Sequence, residues 1–410
     1  MRLLSIIVGA VYVSALWGQQ QPSKLDELVA QALRGNPEIL AAQKRYEAAR
    51  QRPTQESTLP EPMFSLGYQS VGRPYPVAGI GKETLANVGV MVSQEFPFPG
   101  KLSLRGGMAT KEAEAEFQQY QAVQLNVVSR LKQAYYRLYY ACAATDVLNR
   151  ERELLDNLRR VTEVRYTVGK AAQQDVFKAQ TQFSIFETQL LRYQQERDSK
   201  EIEINALLNR PGAGRIEVPE EMATGELTAT LDEMLAHART QAPALAREQK
   251  VVERSDLAAN LARKSYYPDY TVSGGYFNQG GLPPMWQFRV DFKLPAWLGR
   301  QRAEVSEQVF TASQARHDYE AADVGIQASI REEYTLAATA RKLVELYQKS
   351  VIPEARLALE SSIASYQTGT LDFLSLFSNF MNVVDYELMS HEELMRFHVA
   401  LAKLEELTGM

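Results

Sequence analysis

The chain has 410 residues, a net charge of -5 and one cysteine, Cys142. The charge is weak and has the wrong sign for a nucleic-acid partner, which needs a basic face. A single cysteine cannot form an intramolecular disulfide framework. The sequence also lacks a phosphate-binding glycine loop and a G-x-S-x-G nucleophile turn, so we predict neither an enzyme nor a bound cofactor.

The first 18 residues are predicted to be a secretory signal peptide. Arg2 precedes an apolar run at residues 3–16, and small residues at positions 13–15 offer a cleavage site. This run is too short for a membrane-spanning helix, and no later stretch reaches the roughly 18 to 20 apolar residues that one needs. We therefore expect an exported chain without a membrane-spanning helix.

Two halves of similar organisation follow, residues 19–210 and 231–410, joined by a linker rich in glycine and proline at residues 211–230. In each half a proline, Pro37 or Pro243, divides a helical stretch, because proline is accepted in the first turn of a helix but not in its interior. Strands are predicted next, at residues 60–70, 85–96, 268–277 and 286–294. Each half ends in a long helix and a return helix, at residues 101–167 and 172–209 and at 300–366 and 371–408. The predicted fold class is mainly α with a small β part and an internal two-fold repeat.

A glycine turn ends each long helix. Tyr166 and Gly169 correspond to Tyr366 and Gly369 at a constant offset of 200. Glycine suits the left-handed residue just past a last helical turn. The second long helix carries apolar or small residues every seven positions, which predicts one packed seam at Ile330, Ala337, Val344, Val351 and Ala358. Helices of this length reach roughly 100 Å, so we expect tall helical hairpins that form a wall.

The last strand alternates apolar and polar residues. Its apolar set is predicted to face lipid: Trp286, Phe288, Val290 and Phe292. The alternation alone is equally compatible with the core of a soluble sheet. Four strands separated by long helices make a poor sandwich, however, and strands of about ten residues edged by aromatic side chains are typical of an outer-membrane barrel. Four strands cannot close an open channel, so the wall must be shared, and we predict a homotrimer with twelve strands.

Several short motifs resemble, in their order and spacing, those of the TolC family of outer-membrane efflux proteins. Besides the doubling of the chain, these motifs are Ala32 to Pro37, Phe96 to Lys101, Ile352 to Ala355 and Tyr366 to Gly369. The resemblance covers nearly the whole chain after the signal peptide. It implies a trimer with a twelve-stranded transmembrane β-barrel in outer-membrane lipid and an α-barrel that reaches into the periplasm. The turn sequence GTLDFLSLF is similar to that of members that serve heavy-metal efflux.

The resemblance further implies a passive conduit for metal ions, drugs or other small molecules. Its protein partners would be a periplasmic adaptor, or membrane fusion protein, and an inner-membrane transporter of the RND type. Together with the channel they form a tripartite efflux pump. The alternative is a periplasmic coiled-coil scaffold or adaptor without a channel, which would bury the apolar strand residues inside a soluble domain.

Members of this family commonly narrow the periplasmic mouth with acidic side chains early in the helix after the turn. Asp175, six residues after the first turn glycine, matches this pattern. Ser375 and Ser378, six and nine residues after the second turn glycine, depart from it, and Asp372 is the substitute candidate one turn earlier. For both aspartates the competing interpretation is a helix cap, because a carboxylate in the first turn complements the helix dipole.

Two histidines, His391 and His398, share one helix face, with Glu392 and Glu393 between them. Histidine pairs that bind metal on a helix are usually four residues apart, as in H-E-x-x-H, whereas these are seven apart. We therefore predict an ordinary packed or solvated face here and no metal site.

Overall fold

The structure, a computed structural model, describes residues 24–71, 75, 77–83, 85–212 and 214–410, so the predicted signal peptide lies outside the described residues. The described part is mainly helical and contains a four-stranded antiparallel sheet, as the sequence predicts. Among the helices of this part, none combines the length and hydropathy of a membrane-spanning helix. The α-helices are α1 (Lys24–Gly35), α2 (Pro37–Ala49), α3 (Arg52–Ser57), α4 (Lys101–Thr167), α5 (Gln173–Leu207), α6 (Leu231–Gln241), α7 (Pro243–Arg263), α8 (Leu298–Leu346), α9 (Ile352–Thr368) and α10 (Phe373–Thr408).

The sheet contains β1 (Met63–Gln69), β2 (Asn87–Phe96), β3 (Asp269–Gln279) and β4 (Leu282–Lys293), in the order β1-β2-β3-β4. All three pairings are antiparallel. Strand β4 begins at Leu282, four residues before the predicted start, because a two-residue turn through Gly280, with φ of 73°, joins it directly to β3. The prediction missed this start because Pro283 and Pro284 argue against a strand. An edge strand can contain proline, since one side of it needs no ladder hydrogen bonds.

Helix α4 is a single helix of 67 residues and coincides with the predicted residues 101–167. At 1.5 Å per residue it is roughly 100 Å long. Gly100, with φ of 88°, precedes it and turns the chain from β2 into the helix. Three other long helices, α5, α7 and α10, pack along it. Helix α4 is therefore the central rod of the protomer.

The second long helix runs without a gap from Leu298 to Thr368, but it contains a π-helical turn that the prediction of one helix over residues 300–366 did not include. Helix α8 ends at Leu346, a π-helical turn spans Tyr347–Val351, and α9 begins at Ile352. Pro353 explains the position of this turn, because its ring nitrogen has no N–H for the i−4 carbonyl and its ring crowds that carbonyl. A π-helical turn widens the local helix and adds one residue to it.

The added residue shifts the packed seam of the second long helix. Ile330, Ala337 and Val344 are at most 1 % exposed, as the seven-residue spacing predicts. Beyond the π-helical turn the prediction is wrong, because Ala358 is exposed and the next residue, Leu359, is the buried one. The chain thus keeps one face against its neighbours by inserting a residue where proline interrupts the helix.

The helical part has a core at each level along its length. Near the glycine turns, residues of α4, α5, α9 and α10 form one cluster around the fully buried Leu376 and Phe380. Burying each such side chain contributes about 1.5 to 3 kcal/mol. Two further clusters lie nearer the sheet, one where α1 and α2 meet α4 and α5, the other where α6 and α7 meet α8 and α10. The short helices α1, α2, α6 and α7 therefore cover the apolar side chains of the long and return helices near the sheet.

The segment between α5 and α6 has no helix or strand in its described residues, 208–212 and 214–230. Its apolar side chains nevertheless pack on the core. Ile216 and Val218 lie against the cluster of the first half, and Leu227 and Ala229 lie against that of the second. Helix α6 then begins with a capping box in which Thr230 and Glu233 satisfy each other's backbone N–H groups.

Candidate functional site

One face of the sheet is apolar and exposed. The strand registers align its side chains in rows, because residues directly opposite each other point to the same face. The members of this face include Phe64, Leu66, Val88, Val90, Val92, Val272, Tyr276, Trp286, Phe288, Val290 and Phe292. Trp286 and Phe288 are 76 % and 77 % exposed, and Phe292 is 61 % exposed. The four residues predicted to face lipid therefore lie together on one surface that nothing in the described chain covers.

The opposite face of the sheet is largely polar. Ser273 Oγ donates to Ser93 Oγ across β2 and β3 at 3.1 Å, and Arg289 Nε donates to Asp291 Oδ2 at 2.9 Å along β4. Phe277 is an exception, and its ring lies over Gly89 of β2. A Cβ atom on Gly89 would be only 2.2 Å from the Phe277 ring, so glycine is required beneath it. This polar face suits contact with water.

A sheet with these two faces separates an apolar phase from an aqueous one. Soluble sheets bury their apolar face against another layer, which the described residues do not supply here. Transmembrane barrel strands instead alternate apolar outward and polar inward residues. The arrangement thus favours lipid on the outer side of the sheet and water on the inner side.

A partly buried ion pair joins the sheet to the helices. Lys101, at the start of α4, donates from Nζ to Asp269 Oδ1 at 2.8 Å and to the carbonyl oxygen of Tyr267 at 3.0 Å. The backbone N–H of Phe98 donates to the same carboxylate oxygen at 2.7 Å. The ring of Phe98 stacks on that of Tyr267 at 4.5 Å between centroids. We call these four residues the central joint; the sequence analysis identified the Phe96 to Lys101 exit but not its partners.

The two glycine turns have the same backbone geometry. Gly169 and Gly369 have φ of 70° and 84°. The N–H of the residue after each glycine donates to the carbonyl oxygen five residues back, Lys170 to Arg165 and Thr370 to Ser365, at 2.7 and 3.0 Å. This is the pattern of a Schellman motif, which satisfies carbonyl groups that the helix end leaves free.

The two tyrosines of the turns have different surroundings although the sequence treats them alike. Tyr366 is 4 % exposed, with its hydroxyl 3.3 Å from Thr162 Oγ1 on α4. Arg165 donates to the carbonyl oxygen of Tyr366 at 2.5 Å and stacks over its ring at 4.6 Å. Tyr166 is 44 % exposed. The end of α9 is therefore fastened to α4 through Tyr366, whereas Tyr166, at the end of α4 itself, is largely exposed. Thr162 and Arg165 are partners that the sequence analysis missed.

The four candidate gate residues lie at the starts of α5 and α10. Asp372 is the N-cap of α10: its Oδ1 accepts from the backbone N–H of Ser375 at 3.0 Å and its Oδ2 from the Ser375 hydroxyl at 2.8 Å. These hydrogen bonds hold the pKa of Asp372 below its usual range. Asp175 is half-buried in the first turn of α5, and Ser378 is exposed. Asp372 thus fills the capping role that was the competing interpretation.

The two histidines of α10 pack against aromatic rings of α4. His398 stacks on Tyr136 at 4.7 Å, and its Nε2 lies 3.0 Å from the carbonyl oxygen of Ala223. His391 meets the edge of Tyr139. Burial lowers the pKa of both histidines. In the part of the chain that is described, no cluster of three or more histidine, cysteine or acidic residues is arranged to hold a metal ion.

Comparison with known proteins agrees with this architecture. The family model described as "Outer membrane efflux protein" matches residues 28–210. The outer membrane protein TolC of Vibrio cholerae is 24 % identical over 390 residues, which cover 90 % of this chain and 86 % of TolC. The outer membrane protein VceC of Vibrio cholerae has a similar structure, with a TM-score of 0.81, 18 % identity and coverage of 96 % of this chain and 98 % of VceC. CusC gives a TM-score of 0.79 at 14 % identity, with coverage of 94 % and 92 %.

Proposed function

Because this chain belongs to the outer membrane efflux protein family and is an outer-membrane protein that extends into the periplasm, we propose that it is the channel component of a tripartite efflux system. It would be a passive conduit from the periplasm to the exterior. The observation that carries this proposal is the two-faced sheet, whose exposed apolar side chains on β4 need a lipid phase. An extended helical body below that sheet supplies the periplasmic part.

The channel is proposed to be a homotrimer. One protomer supplies four strands, and β1 and β4 each have an unpaired edge in the described chain. Unpaired edges are not tolerated in lipid, so the sheet must close through other copies. Three copies give twelve strands, enough for a water-filled lumen, whereas eight leave room only for side chains. The two halves of the chain, related by an internal repeat, would each contribute two strands and one hairpin.

The partners proposed for this channel are a periplasmic adaptor and an inner-membrane transporter of the RND type. The transporter would supply the energy, since a conduit needs no reaction of its own. Metal ions, drugs and other small molecules are the proposed cargo classes. The proposal of heavy metals as cargo is based on the turn sequence GTLDFLSLF. The TM-scores to VceC and CusC are similar and do not favour one subfamily.

Lysine substitutions on the apolar face test the proposal. Replacing Phe288, Val290 and Phe292 with lysine should prevent insertion into the outer membrane, because each lysine at mid-membrane costs about 2 to 4 kcal/mol. The measurement is the amount of heat-resistant oligomer in outer-membrane fractions after urea extraction. The matched pair is Phe288→Lys with Val290→Lys against a control that places two lysines on the polar face, at Thr271 and Gln287, and that should insert normally. Equal insertion of both variants would rule out lipid contact for this face.

A further inference from the structure

We infer that a second copy of this chain completes a joint at the edge of the sheet. Arg300 of one protomer pairs with Glu61 of the partner subunit, and β4 pairs antiparallel with the partner's β1 in one defined register. This inference rests on the proposed trimeric channel and specifies the interface that closes it. It follows from a contact that the protomer already makes between its own two halves.

The central joint is the template for this contact. It lies between β2, which leads into α4, and the start of β3. Lys101 is 7 % exposed there, and Asp269 accepts hydrogen bonds from both Lys101 Nζ and the Phe98 N–H. The joint therefore fixes the angle at which a helix leaves the sheet next to a neighbouring strand from the other half of the chain.

The sequence contains the parts of this joint a second time. Arg300 corresponds to Lys101 and Trp297 to Phe98, both at an offset of 199. Glu61 corresponds to Asp269 at an offset of 208, and at the same offset Leu59 corresponds to Tyr267. The two sets therefore share the same residue types. Each has a cation at the end of the sheet-to-helix exit, an acid just before a strand, and one apolar side chain next to the cation and one next to the acid.

The second set is split between opposite edges of the sheet within one protomer. Glu61 precedes β1, and Arg300 and Trp297 follow β4. Trp297 is 79 % exposed and Leu59 is 44 % exposed, whereas Phe98 and Tyr267 stack on each other in the central joint. Among the described residues, neither Glu61 nor Arg300 has an ion-pair partner. A neighbouring copy with its β1 beside β4 would bring the two parts together.

The same correspondence gives the register of the strands between copies. Ser93 lies opposite Ser273, and Gln94 lies opposite Val272. The second sheet-to-helix exit, Leu294 to Arg300, is one residue longer than the first, Phe96 to Lys101, so β4 corresponds to β2 at an offset of 198 rather than 199. Strand β3 corresponds to β1 at an offset of 208, so Asp291 would lie opposite the partner's Ser65 and Phe292 opposite the partner's Phe64. This register keeps Phe292 and the partner's Phe64 on the apolar face. A slip of one residue would turn every side chain of one strand to the wrong face.

A charge exchange tests the ion pair. Arg300→Glu and Glu61→Arg, each alone, should shorten the lifetime of the trimer in heated detergent by about tenfold or more, because each places like charges together in a partly buried site. The double variant should return to within about threefold of the wild type. Arg302→Glu, which makes the same charge change two residues further along α8, is the control and should have little effect. Additive losses in the double variant would overturn the pairing.

Cysteine cross-linking tests the register. In a Cys142→Ser background, Asp291→Cys is combined in turn with cysteine at Met63, Ser65 or Gly67, all on the polar face that faces water. Oxidation should produce covalent dimers and trimers fastest with Ser65→Cys, since diagonal neighbours are about 2 to 3 Å further apart than direct ones. Faster cross-linking at position 63 or 67 would overturn the register.

The two proposals fail in different ways. If the wild-type chain is monomeric in detergent and carries no current in lipid bilayers, the channel itself is disproved. If it forms conducting trimers but the charge exchange shows no rescue and cross-linking favours another position, only the interface inferred here is disproved.

Discussion

The side chain of Asp372 has a structural role that bears on its role as a gate candidate. It caps α10 through two hydrogen bonds with Ser375, and these bonds lower its pKa. A carboxyl group with a lowered folded-state pKa stabilises the fold above its unfolded pKa of about 4 and loses that contribution as the pH falls through the folded value. Asp372 is therefore ionised at neutral pH, which a gate of negative charge would also require. The cap alone does not distinguish the two roles.

Asparagine substitution separates capping from gating. Asparagine caps a helix about as well as aspartate but carries no charge. If Asp175 and Asp372 form an anionic mouth, Asp175→Asn with Asp372→Asn should raise the bilayer current several-fold and leave thermal stability nearly unchanged. Asp372→Ala is the companion variant, and it should lower stability because the cap is lost. An unchanged current in the asparagine variant would remove both residues from the gate.

His398 should make the helical core sensitive to mild acid. Burial lowers its pKa, although the hydrogen bond with Ala223 opposes this effect. The unfolded chain, with a histidine pKa of about 6.5, therefore binds more protons than the folded chain, and stability falls as the pH drops through this range. In thermal unfolding, the melting temperature lost between pH 7.5 and 5.5 should be smaller in His398→Gln than in the wild type. His391 is present in both proteins, so its contribution to the pH dependence is the same in each. An equal loss of melting temperature in the two proteins would contradict the assignment to His398.

Sequence reasoning worked for backbone conformation at single residues and failed for their surroundings. The positive φ of Gly169 and Gly369 follows from local chemistry, because few other residues adopt it cheaply at a helix end. Tyr166 and Tyr366 look equivalent in the repeat, yet only Tyr366 is buried. Tyr366 is buried because the end of α9 packs against Thr162 and Arg165 of α4, and a local motif does not contain this tertiary contact.

At the scale of elements, the second long helix shows why a seven-residue pattern can mislead. Val351 continued the pattern of Ile330, Ala337 and Val344 in the sequence, and the π-helical turn then moved the buried position by one residue. Proline was visible in the sequence, but a kink, a break and a π-helical turn are all possible responses to it. By contrast, glycines flank both ends of α4 and no proline lies inside it, so its limits could be predicted closely.

Deleting one residue from the π-helical turn should be tolerated. Val344 and Leu359 are 15 positions apart, and removing the exposed Gln348 restores two heptads between them. Combined with Pro353→Ala, this deletion should give one continuous α-helix whose packed face is the same before and after the deleted residue. The melting temperature should change by only a few degrees. Deleting the exposed Gly325 from α8 is the control, which should abolish assembly because it rotates the helix beyond it by about 100°. Equal damage from both deletions would show that the π-helical turn has a role of its own.

At the scale of the whole molecule, the two halves are one body rather than two domains. Glu387 on α10 is nearly buried and pairs with Arg150 of α4 at 2.5 Å and, through Nε, with Arg356 of α9 at 3.0 Å. Burying a carboxylate is costly unless it is paired. Arg150 therefore ties the first half of the chain to Glu387 of the second half near the start of α9, whereas Arg356 pairs with Glu387 within the second half. The doubling of the sequence predicted two similar halves but not this contact. Glu187, which corresponds to Glu387 at the offset of 200, pairs with Arg152 inside the first half instead.

The dimensions of the protomer predict the shape of the assembly. Helix α4 accounts for roughly 100 Å, and strands of up to 12 residues add about 40 Å before tilt, so particles should be well over 100 Å long. Electron microscopy of the detergent-purified protein should show hollow particles with three-fold symmetry, because only a shared wall closes the edges of β1 and β4. The detergent belt should surround one end of each particle, where Trp286 and Phe288 lie, and leave the helical shaft bare. Solid monomeric rods, or a belt around the middle of the shaft, would contradict the channel and show that the apolar face of the sheet has another partner.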